Sequence, residues 1–375
     1  MRIYRVGGSV RDKLSGRDYK DNDYVVFGAS ESEFLQRFPG AKKVGSRACV
    51  YIVKGDEYTL ADTADIESDL LRRDLTINAM ARDEKGRLIA HPLALFDLEN
   101  KILRPVSIEN FFHDPLRIFR AARFAACLPD FTIHDSLTEA MKQVGERGVL
   151  DKIAAERVGN ETLRACAGDR PGNYLRLISR TACMTPWFKE LADGARIPAG
   201  PAPFHNESLL DHLARAMDRM SGSTLGVWMA LCHDLGKTGT DPAMLPRHHN
   251  HDRIGRKTAL DLGWRLKLPR RFTAAGAAAA SRHMTAGHYD NLRVSTKVDL
   301  LVQLDKLSLV DEMFTLAMAD QKTDFRSRAR ADLKILLAVK LPRKHCGQGA
   351  RSGKILHQLR CEALAGKGEG KLEIE

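Results

Sequence analysis

No apolar run in the 375-residue chain approaches the ~20 residues that cross a bilayer. The longest run of small apolar residues, Thr273 to Ala280, is mostly alanine and too short. There is no Cys-x-x-Cys, and the seven cysteines are odd in number and widely spaced. That pattern excludes a disulfide framework and a cysteine zinc site, and it predicts free thiols in a reducing cytoplasm. Gly-x-Gly-x-x-Gly and the P-loop pattern are both missing, which excludes the two commonest glycine-rich phosphate cradles. Internal repeats are lacking, and low complexity is confined to the last ten residues. No signal peptide is visible, because residues 2–6 already read as a strand entering a Gly-Gly turn.

With 43% hydrophobic and 29% charged residues, the chain has the composition of a globular protein and enough length for two or three domains. The formal charge of +11 points to a polyanionic partner, with nucleic acid first. Short strands are expected at 2–6, 25–27 and 48–53, followed by a helix from Asp69 to Ala81. From Pro115 onward helical periodicity dominates. Gly194 to Pro203 reads as a linker and a domain boundary. Residues 320–375 carry 13 Lys+Arg against 7 Asp+Glu, with a basic helix expected at 354–360 that suits RNA phosphates.

Five groups of residues carry chemistry. Val6-Gly7-Gly8-Ser9-Val10-Arg11-Asp12 is a strand ending in glycines, where backbone N–H groups can approach a phosphate and Arg11 can add a charged fork. Asp21 and Asp23 lie two apart before an apolar strand, so both carboxylates fall on one face. Paired carboxylates suit Mg²⁺, which shares its remaining oxygens with phosphates. Asp-Asn-Asp alone is also ordinary turn chemistry; its spacing from Gly-Gly-x-x-Arg-Asp favours the metal. In Asp69-Leu-Leu-Arg72-Arg73-Asp74-Leu-Thr-Ile-Asn78, a helix would set Asp69 against Arg73 and Asp74 against Asn78. In His113-Asp114-Pro115-Leu116-Arg117-Ile118-Phe119-Arg120-Ala121-Ala122-Arg123, Asp114 reads as an N-cap, and Arg117, Arg120 and Arg123 form one basic stripe. The fifth group is His212, then Cys232-His233-Asp234-Leu235-Gly236-Lys237, then His248, His249, His251, His283 and Asp305. Eight of the 13 histidines lie in 205–290, which argues against isolated surface histidines.

The first four groups closely resemble the class II tRNA nucleotidyltransferases, the CCA-adding enzymes of the polymerase-β-like superfamily. The resemblance implies an α+β nucleotidyltransferase head over 1–105, a helical neck and body over 106–200, an all-α domain over 205–310 and a basic helical tail over 311–375. It implies that Asp21 and Asp23 hold catalytic Mg²⁺, with Glu57 as the candidate third carboxylate. Gly8, Arg11 and Arg73 would contact the nucleotide, supported by Asp74 and Asn78. Asp114 and Arg117, with Arg120 and Arg123, would select the base, although His113 stands where the family usually has Glu. The fifth group resembles an HD phosphohydrolase, which implies that His212, His233, Asp234 and Asp305 ligate Ni²⁺, Mn²⁺ or Co²⁺.

The implied activity is template-independent addition of CCA to tRNA from CTP and ATP in the cytoplasm, with no membrane partner and room for a homodimer. One feature departs from the family. Only residues 61–68 separate Leu60 from Asp69, so the family's flexible loop is mostly missing and Asp62 replaces its usual basic residue. This leaves open an enzyme that adds only the two cytidines. Poly(A) polymerase shares the head chemistry, and a degenerate RNA-binding head joined to an active phosphodiesterase is the reading from another class.

Overall fold

The computed structural model describes residues 1–18, 22–44, 50–203 and 206–367. They form two compact units, one of residues 1–153 with 180–183 and one of 154–179 with 184–375. The Gly194–Pro203 segment lies inside the second unit. Its backbone is held there by hydrogen bonds from Ala199 N to Glu207 O and from Lys237 Nζ to Ala199 O.

The first unit is built on a mixed sheet of β1 (Arg2–Val6), β2 (Asp23–Phe27), β3 (Lys42–Val44), β4 (Val50–Val53), β5 (Asp56–Leu60), β6 (Met80–Asp83) and β7 (Leu88–Ala90). Their order is β3-β4-β5-β2-β1-β6-β7, and β2 with β5 is the parallel pair. Of the run expected as a strand at 48–53, Ala48 and Cys49 lie outside the described residues. Alternation along β1 and β2 sorts the two faces. Ile3 and Val26 pack with Phe34 of α2 (Glu31–Arg37) and with Tyr51. Tyr4, Val6, Val25 and Phe27 pack with Ile66 and Leu70. Asp23 shares the second face but sits beyond the apolar cluster, at the open end of its strand.

The helix expected over 69–81 does not form. The structure has α3 (Ile66–Leu71), a single 3₁₀ turn at Thr76–Asn78, and then β6. Tertiary pairing overrides the local pattern. Thr76 N donates to Arg104 O and Val106 N to Asp74 O, and the side chain of Asn110 donates to the carbonyls of Leu71 and Arg73. Leu75, Ile77, Ala79, Met80 and Ala81 are all buried, which no single helix face could achieve.

The second unit is helical. The helix Thr224–Cys232 is buried on every side from Leu225 onward and ends at His233-Asp234. The alanine run belongs to the helix Arg270–Gly287, whose small side chains let it approach Thr224–Cys232 closely. A Cβ on Gly276 would lie 2.8 Å from both Trp228 Nε1 and Cys232 Sγ. The expected basic helix at 354–360 falls within the helix Ala350–Glu362. No helix among the described residues is long and apolar enough to cross a membrane.

Candidate active site and metal cluster

In the first unit the residues of the first four groups converge. β1 runs into Gly7, whose φ of +70° suits glycine, and a Cβ there would lie 2.9 Å from Arg73 Nη1. Helix α1 (Gly8–Leu14) follows and carries Arg11. Arg11 Nη1 donates to Asn78 Oδ1 (2.6 Å), Asn78 Nδ2 to Asp74 Oδ1 (3.0 Å), and Arg120 Nε to Asp74 Oδ2 (2.8 Å). One continuous chain of hydrogen bonds thus joins three segments that are far apart in sequence.

Arg73 pairs with Asp69 at 2.8 Å, and Arg117 Nη1 donates to the Arg73 carbonyl at 3.0 Å. Both i,i+4 pairs expected of a helix over 69–81 are present, Asp69–Arg73 across the C-terminal end of α3 and Asp74–Asn78 around the 3₁₀ turn. Arg123 lies over the Phe124 ring at 4.0 Å. Asp114 is not the cap of a helix starting beside it. Its Oδ1 accepts from Leu116 N (3.3 Å), and the helix Arg117–Cys127 starts beyond that turn.

Asp74 is the buried centre of this chain. Burial opposes its charge. The Arg120 guanidinium and the hydrogen bonds from Asn78 and Leu75 outweigh that cost and hold the carboxyl well below the usual range. Replacing Asp74 by Asn is expected to cost about 3 kcal/mol, because the buried carboxylate accepts from Leu75, Asn78 and Arg120, and an amide nitrogen cannot accept. The calorimetric midpoint of the first unit should fall by roughly 6–12 °C. A carboxyl with a lowered folded-state value stabilises above its unfolded pKa of ~3.9, and loses that contribution as pH falls through the lower folded value. The difference between the proteins should therefore shrink below about pH 4. An unchanged midpoint at pH 7 would show that the chain of bonds does not hold this unit.

The parallel register sets Glu57 of β5 directly opposite Asp23 of β2, so both carboxylates fall on one face at neighbouring strand ends. Both are exposed. Asp21 lies outside the described residues. The Asp23–Glu57 pair offers the oxygen donors that a hard divalent cation takes.

The histidine cluster lies in the second unit. His212 comes from the helix Leu209–Arg219, and His233-Asp234 from the end of Thr224–Cys232. His212 Nε2 is 3.1 Å from His233 Nε2 and 3.1 Å from Asp234 Oδ2. The next carboxylate is not Asp305. It is Asp320, whose Oδ1 lies 3.3 Å from His212 Nε2 and 3.8 Å from His233 Nε2. Asp305 is half-buried on the helix Val294–Lys306, and no contact ties it to the cluster; Asp320 sits on the next helix, Val310–Gln321. Each follows an apolar helical stretch, so local pattern does not separate them.

Burial opposes charge on His212, yet hydrogen bonds to Asp234 and Asp320 push it up to about 9. Burial likewise opposes Asp234 and Asp320, and their cationic and hydrogen-bonding neighbours hold both well below the usual carboxylate range. Lys237 Nζ, 2.6 Å from Asp234 Oδ2, also faces this charge. The residues fit a divalent metal, because two buried carboxylates and the Nε2 atoms of His212 and His233 converge there, and a cation would take the place of the proton that these carboxylates hold on His212. Glu207 had no signal in the sequence. Its carboxylate accepts from His212 Nδ1 and so fixes the ring.

The family model for the poly A polymerase head domain matches residues 46–104, and that for the probable RNA and SrmB-binding site of polymerase A matches 130–194. The multifunctional CCA protein of Aromatoleum aromaticum is 33% identical over 88% of this chain and 85% of its own length. That of Acinetobacter baumannii is 32% identical over 97% of each. The Thermotoga maritima CCA-adding enzyme, solved in complex with tRNA, superposes with a TM-score of 0.68 at 20% identity, over 99% of this chain and 89% of its own, and shares the fold. With this much of its length matched to CCA proteins, the chain belongs to the class II CCA-adding nucleotidyltransferases and is a tRNA nucleotidyltransferase.

Proposed function

We propose that the protein completes tRNA 3′ ends by adding C, C and A in turn from CTP and ATP. The observation that carries this reading is the hydrogen-bonded chain Arg11–Asn78–Asp74–Arg120, which connects the glycine turn beside β1 to the basic helix. Asp21 and Asp23, with Glu57, hold Mg²⁺. When bound, it supplies charge for deprotonating the terminal 3′-OH and for the leaving pyrophosphate. The 3′ oxygen bonds to the α-phosphorus of the nucleotide as the bond to the β-phosphate breaks. Gly8, Arg11 and Arg73 receive the triphosphate, and guanidinium groups anchored by Asp12 and Asp69 keep donors for it.

Asp114 and Arg117, flanked by Arg120 and Arg123, read the base edge. Cytosine and adenine differ in donor and acceptor pattern, so a carboxylate and a guanidinium can replace a template. The bond from Arg117 to the Arg73 carbonyl couples base reading to phosphate holding.

A specific observation favours a second reading, addition of CC alone. Only residues 61–65 link β5 to α3, Asp65 caps α3 through Ser68 N at 2.8 Å, and Asp62 pairs with Arg72 at 2.9 Å. The Asp62–Arg72 pair is exposed and is worth at most about 1 kcal/mol, so it is the shortness of the link that limits motion. Re-aiming Asp114 and Arg117 from cytosine to a purine needs such motion. CC-ended tRNA is therefore expected to accumulate before the A is added, at least about tenfold more slowly than C. Equal rates for all three additions, read by sequencing timed products, would remove the link from this account.

A second activity is proposed for the histidine cluster, where His212, His233, Asp234 and Asp320 hold Ni²⁺, Mn²⁺ or Co²⁺ as in an HD phosphohydrolase. Such an ion supplies an activated water for a phosphoester such as a 2′,3′-cyclic phosphate. A cavity of about 790 Å³ lined by Asp234, Lys237, His251, His283 and Asp320 gives a substrate room beside the cluster.

A further inference from the structure

We propose that Asn110 is a positioning residue for nucleotide selection. Its single side-chain amide sets the base-reading pair Asp114 and Arg117 against the Arg73 segment that receives the triphosphate. The proposal rests on the reading of Asp114 and Arg117 as base readers and deepens it.

Asn110 is buried on the helix Ile108–His113, where its backbone N–H donates to the Ser107 hydroxyl that caps the helix. Its Nδ2 donates to the Leu71 carbonyl at 2.8 Å and to the Arg73 carbonyl at 2.9 Å. Carbonyl oxygens only accept, so the nitrogen end of the amide has to face them, and both of its N–H groups are used. Leu71 is the last residue of α3, where a carbonyl lacks an intrahelical partner. Asn110 takes up that carbonyl and holds the chain as it leaves α3 for Arg73.

Two groups meet at the Arg73 carbonyl. Arg117 Nη1 donates to the same oxygen at 3.0 Å, so its two lone pairs take one N–H from Asn110 and one from Arg117. The main chain of Asn110 reaches the other base reader, because its carbonyl accepts from Asp114 N at 3.2 Å. One residue therefore holds Asp114 through its backbone and, through its side chain, the oxygen on which Arg117 rests. The Arg73 side chain is fixed separately, by its ion pair with Asp69 at 2.8 Å. Arg117 uses one of its five N–H donors in this way and keeps others for a base.

His113 is not the brace. It stands before Asp114 where the family usually has Glu, but it is exposed, and the buried support comes from three residues earlier. The separation of the two readers matters because cytosine presents an amino donor where uracil presents an acceptor oxygen. A carboxylate and a guanidinium at a fixed separation accept the first edge and reject the second. Asn110→Asp keeps the size and removes both donors. It sets a carboxylate against two carbonyl oxygens and offers Arg117 a charged partner in place of the Arg73 oxygen.

The test measures kcat/KM for CTP and for UTP on the full chain, with a tRNA ending at its discriminator base. Asn110→Asp is expected to lower the CTP-to-UTP ratio by at least about tenfold, since a misplacement of about 1 Å costs up to roughly 100-fold. Both rates come from one preparation, so a loss of folded protein lowers them alike and leaves the ratio unmoved. If Asn110→Asp yields no folded protein, Asn110→Ala, which adds no charge, carries the same expectation. His113→Ala is expected to keep the wild-type ratio, and Arg117→Lys to lose it. A wild-type ratio in the Asn110 variant with a lowered one in Arg117→Lys would overturn the role of Asn110 and leave base reading standing. A ratio lost in His113→Ala would move the brace to His113 and overturn the proposal as well. A wild-type ratio in Arg117→Lys would overturn the base reading itself, and the role of Asn110 with it.

Discussion

Asp23→Ala is expected to lower CTP incorporation into tRNA by about 1000-fold or more while changing tRNA affinity little. The size follows from the role. A metal that stabilises transition-state charge is worth several kcal/mol, and each 1.36 kcal/mol is tenfold in rate. Asp23 is the exposed first residue of β2, ahead of its buried residues, and lies opposite Glu57 across the parallel pair, so its removal would empty the proposed metal site without opening the core. Affinity for tRNA comes instead from many phosphate contacts. Single-turnover incorporation and a binding titration on the same preparation separate the two quantities. Incorporation at the wild-type rate would remove Asp23 from the metal site.

His233→Ala should abolish metal-dependent hydrolysis of a 2′,3′-cyclic phosphate by at least about 100-fold, since even outer partners of metal ligands cost 10–100-fold when lost. Nucleotide addition should survive, because the histidine cluster and the Asp23–Asp74 residues belong to different compact units. The measurement is phosphate-ester cleavage with Ni²⁺, Mn²⁺, Co²⁺ and Mg²⁺ in turn, alongside incorporation. If wild type cleaves with none of them, the cluster is structural. If His233→Ala cleaves as wild type does, the ligand set is wrong.

How far the residues could be read without coordinates differs between the two clusters. Gly7-Gly8, Arg11, Arg73, Asp74 and Asn78 were legible because each is an unusual residue at a fixed offset, and the structure gathers them in one network. Its internal wiring was not. Arg120 meets Asp74 only because the helix Arg117–Cys127 packs near a segment 46 residues earlier. The helix read over 69–81 shows the same limit. Two genuine i,i+4 contacts, Asp69–Arg73 and Asp74–Asn78, persist around a turn and a strand that are held by the 104–106 backbone.

In the second unit, His-Asp at 233–234 is a strong local signal, and His212 follows from it. Asp305 and Asp320 end similar apolar helices one after the other, and only tertiary packing decides that Asp320 reaches His212. His251 and His283 were visible as part of a histidine-rich region. Their convergence on Asp234 Oδ1 depends on the close approach of Gly255 to Gly236, which no spacing rule contains.

The most direct test supplies the purified full chain with a tRNA ending at its discriminator base, together with CTP, ATP and Mg²⁺, and sequences the product ends over time. The expected result is ordered growth through C and CC to CCA, with the CC-ended species accumulating on the way. Ends that stop at CC would establish the narrower activity in place of the complete one. A tRNA left at its discriminator base, or extended by adenosines alone, would contradict the account.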